Sequence, residues 1–236
     1  MTGNMAFERN ARNLTNMTAA GESRKFPGLL LRIIVTGIAL AIWFWTQSLL
    51  GHRVMPSSGL GDMLHNWTAG LNSYLYRSPA AANALLILSS ALIDVLGLFL
   101  LARWLFGPSV RPFLGLVLLL AMRQVMQAVC ALPPPPNMIW HYPGFPSLLV
   151  TYNVGNDFFF SGHTAITVFG GIELARLGKR WLTVLAVAVA LFEIAAVIVL
   201  RAHYTMDIFA GLFAALWVAQ LSKQLSPHLD ARLRYS

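Results

Sequence analysis

Charge is scarce in this chain and cysteine is nearly absent. Charged residues make up 11% of the 236 residues, against 57% hydrophobic, which excludes a soluble domain and leaves a polytopic membrane protein. The one cysteine, Cys130, excludes an intramolecular disulfide and a cysteine-based zinc site. Its apolar neighbours predict a buried, inert thiol. Acidic residues number 9 against 17 basic ones, for a net charge of +8. The basic residues lie between apolar segments rather than in one patch, so they point to membrane topology and not to nucleic acid. Residues 1–27 are polar and lack the short apolar core and small-residue cleavage site of a secretory signal.

Apolar spans are present near 28–50, 80–106, 112–131, 158–177, 181–201 and 205–222. The expected architecture is all-α, with six transmembrane helices in one membrane domain over 28–223. A flexible cytosolic tail is expected over 1–27 and a cytosolic C-terminal tail over 224–236. With the N-terminus in the cytosol, four of the 17 Lys and Arg residues fall outside (Arg53, Arg77, Arg123 and Arg201) and the other thirteen inside, which is the positive-inside pattern. Both termini are then cytosolic and the outer face is extracytoplasmic, in a bacterial inner membrane or an ER-type membrane. The outer segment 51–79 mixes polar and apolar groups. The outer segment 132–157 opens with Pro133-Pro134-Pro135-Pro136 and carries Trp140, Tyr142, Phe145 and Tyr152. Four consecutive prolines form a stiff polyproline stretch. The segment reads either as a rigid cover over the site described next or as an interfacial anchor.

That site is a split polar triad. Ser161-Gly162-His163 opens the fourth span, and His203 and Asp207 lie forty residues further on. A span takes about 20 residues and rises about 30 Å, so forty residues cross the membrane and return, bringing both histidines to one face. Polar clusters are costly in a membrane and mark function by default. On a helix, His203 and Asp207 share one face. There the carboxylate can take the hydrogen bond of one imidazole nitrogen and leave the other free as a nucleophile. His163 supplies a second imidazole for proton transfer. One histidine attacking while the other handles the proton suits displacement at phosphorus. Arg123 and Arg201 are the outer-side cations for phosphoryl oxygens, and the backbone around Ser161 and Gly162 can add N–H donors at a helix start. No second close pair of ligands accompanies His203 and Asp207, so neither a metal nor another cofactor is expected. Asp94, Glu173 and Glu193 lie inside spans and read either as a proton path or as interhelical hydrogen-bonding groups. His52, His65, His141 and His228 read as interfacial or solvated.

Phe158-Phe159-Phe160-Ser161-Gly162-His163-Thr164 and Arg201-Ala202-His203-Tyr204-Thr205-Met206-Asp207 resemble the last two motifs of the sphingomyelin synthase family, a branch of the PAP2-like lipid phosphatase superfamily. Arg123 before Leu132-Pro133, and Asp157 six residues before His163, also resemble that pattern. The stretch from Trp140 through Pro143-Gly144-Phe145-Pro146-Ser147 to Asn156-Asp157 is similar to the plant phosphatidylcholine:diacylglycerol cholinephosphotransferases. The resemblance covers roughly residues 120–210. It implies a PAP2-like helical core and a metal-free double displacement. By that analogy His203 attacks a phospholipid with Asp207 in support, His163 protonates the leaving diacylglycerol, and a phosphohistidine passes the headgroup to a lipid alcohol. A choline group would be met by Trp140, Tyr142, Tyr152, Phe158, Phe159 and Tyr204, with Asp157 as counter-charge. The expected partners are therefore a membrane phospholipid donor and a diacylglycerol or ceramide acceptor, with ethanolamine as an alternative headgroup. The pattern departs from the phosphatase branch, which has Pro where Phe160 stands, Arg where Val197 stands and Lys where Trp104 stands before Arg111-Pro112. The rival readings are a lipid phosphate phosphatase with water as acceptor and a non-catalytic lipid-binding protein. Oligomeric state is left open.

Overall fold

A computed structural model describes residues 28–52, 60–152 and 158–235. These residues form helices joined by turns and irregular segments, with no strand among them. In chain order the helices are α1 (Leu29–Gly51), α2 (Met63–Trp67), α3 (Ala69–Arg77), α4 (Pro79–Leu105), α5 (Arg111–Val129), α6 (Gly162–Ala175), α7 (Arg180–Val199) and α8 (Thr205–Tyr235). Each expected span has its helix, but among the described residues five rather than six are long and apolar enough to cross a membrane: α1, α4, α5, α7 and α8. The exception is α6. Its 14 residues rise about 21 Å, short of the roughly 30 Å hydrocarbon core. The apolar run Phe158–Phe160 had lengthened it in the sequence. In the structure those residues precede the helix, and the helix starts only after Ser161.

Helix α6 is the inner element. It packs against α4, α5, α7 and α8. Phe169 at its middle is fully buried among Leu100 of α4, Leu119 of α5 and Val218 of α8. Gly115 of α5 makes room for it: a Cβ there would lie 2.0 Å from the Phe169 ring. Two polar ties close the end of the bundle away from the histidines. Arg111 donates to Glu173 through both Nε and Nη2, with the closest contact 2.8 Å, and Arg176 reaches the same carboxylate at 3.3 Å. Arg32 of α1 donates to the Trp104 carbonyl at 2.8 Å and to the Leu105 carbonyl. Helix α8 continues to Tyr235, through the segment expected as a tail. Asp230 fastens this extension by accepting the Val110 N–H at 2.7 Å. Cys130, expected to be buried, is half-buried at the C-cap of α5.

Candidate active site

Ser161 has extended backbone (φ −60°, ψ 109°), and its hydroxyl accepts the Thr164 N–H at 3.3 Å. It is thus the N-cap of α6, and Gly162 and His163 are the first residues of the helix. The Ser161 N–H donates to the Asp207 carbonyl at 3.1 Å, which ties the start of α6 to the start of α8. The approach is close. A Cβ on Gly211 would lie 2.6 Å from the Ser161 carbonyl oxygen, so only glycine leaves this contact undisturbed.

The shared helix face expected for His203 and Asp207 is not what forms. Helix α8 begins at Thr205, so His203 lies before the helix and Asp207 in its first turn. His203 Nδ1 instead donates to the Phe158 carbonyl at 2.8 Å. A carbonyl can only accept, so Nδ1 carries the proton and Nε2 keeps its lone pair. Asp207 Oδ2 lies 3.8 Å from Nδ1 and accepts the Tyr204 N–H at 2.9 Å. An acid at the third helical position that reaches back to the cap residue is half of a capping box. Asp207 therefore holds the start of α8 and keeps its carboxyl 3.8 Å from His203.

The two imidazoles meet as the spacing predicts, with ring centroids 6.4 Å apart. Both line a narrow pocket of about 40 Å³ together with Arg123, Gly162, Trp140 and Phe158. Trp140 stands edge-on to His163 at 5.3 Å and packs on Tyr152 at 5.1 Å, so one aromatic of the segment after the four prolines lines the pocket, while Tyr142 and Phe145 are exposed. Arg123 is buried and donates from Nε to the Phe160 carbonyl at 3.0 Å. It passes directly over Gly162, where a Cβ would lie 3.1 Å from Nε. His163 Nε2 is buried and has no hydrogen-bond partner among the described residues.

Other expected site residues stand elsewhere. Arg201 donates to the carbonyls of Pro136 at 2.8 Å and His65 at 3.2 Å, so two of its donors hold backbone of the proline segment and of α2, and it does not line the pocket. Tyr204 is buried beside His65, and its hydroxyl accepts the Leu60 N–H at 3.1 Å; it too is outside the pocket. Asp157 lies outside the described residues. The three intramembrane acids each have partners. Asp94 accepts from the Ser147 hydroxyl and from the N–H groups of Leu148 and Leu149 at 2.9–3.0 Å. Glu173 is in the ion cluster at the far end. Glu193 accepts the Ser89 hydroxyl at 2.6 Å.

Three contributors escaped the sequence reading. His65 is not solvated. It is 3% exposed and bonds through Nε2 to the His203 carbonyl at 2.9 Å. Asp62 caps α2 by accepting the N–H groups of Leu64 and His65, and it also accepts the N–H and the hydroxyl of Thr205. Burial pushes the Asp62 carboxyl up, but the hydrogen bonds from Thr205 and His65 outweigh it and hold the group below its ordinary value. Trp43 of α1 forms one wall of the pocket. Of the three, only Asp62 carried a signal, an aspartate at a position suited to cap a helix.

A family model described as AtPDCT1/2 matches residues 61–224. Over 165 residues the chain is 22% identical to phosphatidylcholine:diacylglycerol cholinephosphotransferase 1 of Arabidopsis thaliana. That match covers 70% of this chain and 54% of the plant protein, so the chain spans about half the length of this curated relative. No solved structure matches it. The matched stretch runs from Asp62 through both histidines into α8, and with it the chain belongs to the AtPDCT1/2 family.

Proposed function

We propose that the protein is a membrane transferase that moves phosphocholine from phosphatidylcholine to a lipid alcohol, with diacylglycerol as the favoured acceptor. The observation that carries this reading is the pair of unlike imidazoles in one pocket. His203 has its proton fixed on Nδ1 by the Phe158 carbonyl, and His163 stands beside it with an Nε2 that has no partner among the described residues. In the first half-reaction His203 Nε2 attacks phosphorus and the bond from phosphorus to the glycerol oxygen breaks. His163 gives its proton to that oxygen, and diacylglycerol leaves. Phosphocholine remains on His203. In the second half-reaction an acceptor hydroxyl passes its proton to His163, its oxygen attacks phosphorus and the nitrogen–phosphorus bond breaks. A phosphodiester brings negative charge beside His163 and so favours the imidazolium that the first step needs. Arg123 and the first N–H groups of α6 face the phosphoryl oxygens, and Trp140 and Phe158 offer ring faces to the quaternary ammonium. The arrangement is compatible with the PAP2-like core that the motifs imply.

Among the described residues Arg123 is the guanidinium that lines the pocket, while Arg201 is turned to the proline segment and α2. One guanidinium suits a diester monoanion better than a monoester dianion, which favours transfer over lipid phosphate hydrolysis. The test uses purified protein in mixed micelles with headgroup-labelled phosphatidylcholine. Diacylglycerol of different chain length and ceramide are offered separately. Label moves to a new phosphatidylcholine species with diacylglycerol, and His203→Ala abolishes it. Phosphate release from phosphatidate without any transfer would refute the reading.

A further inference from the structure

Helix α1 is tied to the bundle at both ends and stands off in between. At one end Arg32 holds the carbonyls that close α4. At the other, Gln124 of α5 donates to Gln47 at 3.0 Å, and Gln47 reaches the Thr151 hydroxyl at 3.4 Å. Between these ties α1 and α5 enclose a cavity of about 380 Å³, with Ala39 on one wall and Phe113, Leu116 and Ala121 on the other. Its lining is almost wholly apolar. Trp43, Leu120 and Leu149 line both this cavity and the histidine pocket, so the two spaces meet there.

The junction carries one unmet polar group. Trp43 is 7% exposed, and its Nε1–H is buried with no acceptor among the described residues. A buried indole N–H normally finds an acceptor, and in the bilayer core water does not supply one. A glycerolipid with its phosphorus at His203 places its ester groups a few bonds away, near this junction, with its chains beyond. We infer that the cavity between α1 and α5 holds one acyl chain of the glycerolipid substrate, and that Trp43 donates its indole N–H to that chain's ester carbonyl. The inference rests on the transferase reading for the class of lipid, and it adds a subsite built partly by α1, which lies outside the 61–224 match.

The test is photo-crosslinking of the full chain in detergent, using sub-stoichiometric phosphatidylcholine that carries a diazirine midway along one acyl chain. Label falls on residues 39–43 and 116–121 in the wild type and equally in His203→Ala, because occupancy needs no chemistry. Ala121→Trp and Ala39→Trp fill the cavity from opposite walls, and each abolishes that label; two variants guard against one failing to fold. Trp43→Phe keeps the bulk and removes the donor. It raises the ratio of KM for ester-linked phosphatidylcholine to KM for the ether-linked analogue, which has no carbonyl, roughly fivefold, the size of one hydrogen bond. Label spread over the outward face of α7 and insensitive to both filling variants overturns the inference, as does an equal effect of Trp43→Phe on ester and ether lipids. Cavity label without any headgroup transfer sinks the transferase reading and leaves the chain subsite standing. Transfer with label elsewhere does the reverse.

Discussion

Asp62 accepts both the backbone N–H and the side-chain hydroxyl of Thr205, so one carboxylate outside the bundle fixes the residue two positions after His203. The same group caps α2, whose His65 in turn holds the His203 carbonyl. Asp62→Ala removes a capping interaction from two helix starts and should cost about 2 kcal/mol, read by thermal unfolding in detergent. Hydrogen bonds hold the Asp62 carboxyl below its ordinary value, so the fold favours its ionised form. That contribution is complete above the ordinary aspartate pKa of about 3.9 and is lost as pH falls through the lower folded value. Wild type therefore loses stability relative to Asp62→Asn as the medium is acidified through that window. Parallel curves for the two proteins would contradict the assignment.

Asp207 and Phe158 divide the support of His203 in a way that mutation can separate. Asp207→Asn retains an acceptor for the Tyr204 N–H and leaves the Phe158 carbonyl in place, so stability should hold while activity falls through loss of the nearby carboxyl. Asp207→Ala also loses the capping bond and should unfold earlier. On the proposed mechanism His163→Ala removes the proton donor and should lower kcat by about 10²–10⁴. If Asp207→Asn unfolded as early as Asp207→Ala, the capping role would be wrong.

Gly211 and Gly97 both sit against close neighbours, yet substitution should separate them. A Cβ at Gly211 meets a backbone oxygen, the Ser161 carbonyl at 2.6 Å. Backbone at the α6 cap has little room to move, so Gly211→Ala should cost about 1–3 kcal/mol and lower activity as well. A Cβ at Gly97 meets only the end of the Leu149 side chain, which can rotate away. Gly97→Ala should be close to neutral, helped by alanine's better helix propensity. Relative melting temperatures of the two variants decide the point.

Arg111 lies at the opposite end of α5 from Arg123 and pairs with a carboxylate that is 1% exposed. Removing Arg111 leaves the Glu173 charge buried with only Arg176 near it, and a cost of about 2–4 kcal/mol is expected. Glu173→Gln, which removes the buried charge, should cost less. Neither change should alter KM for phospholipid in the protein that remains folded. A large rise in KM for Arg111→Ala would instead make that residue part of a phosphate clamp.

Much of this was legible in the chain. Hydrophobic runs located α1, α4, α5, α7 and α8 because each is long and uninterrupted. The forty-residue interval brings His163 and His203 to one end of the bundle because it holds α6 and α7, which lead the chain away and back. Helix α6 is shorter than the sequence suggests because Phe158–Phe160 is apolar in sequence, whereas Phe158 and Phe160 are buried in the irregular segment that cradles His203. The four-residue spacing of His203 and Asp207 looked helical, but the cap falls between them. Arg201 looked like a phosphate ligand, and its partners, the Pro136 and His65 carbonyls, are backbone groups that no side-chain pattern reveals. Trp43 gave no local sign, since a tryptophan in an apolar span has the same appearance whether it faces lipid or a catalytic pocket.

The most direct test of the central claim is to trap the covalent intermediate. Purified protein is mixed with phosphatidylcholine labelled at phosphorus, without acceptor, quenched under alkaline conditions that preserve phosphohistidine, and mapped by peptide. The mechanism predicts acid-labile label on His203, absent in His203→Ala and discharged into new phosphatidylcholine when diacylglycerol is added before the quench. Transfer activity that proceeds with no label on His203, or label that settles on His163, would contradict it.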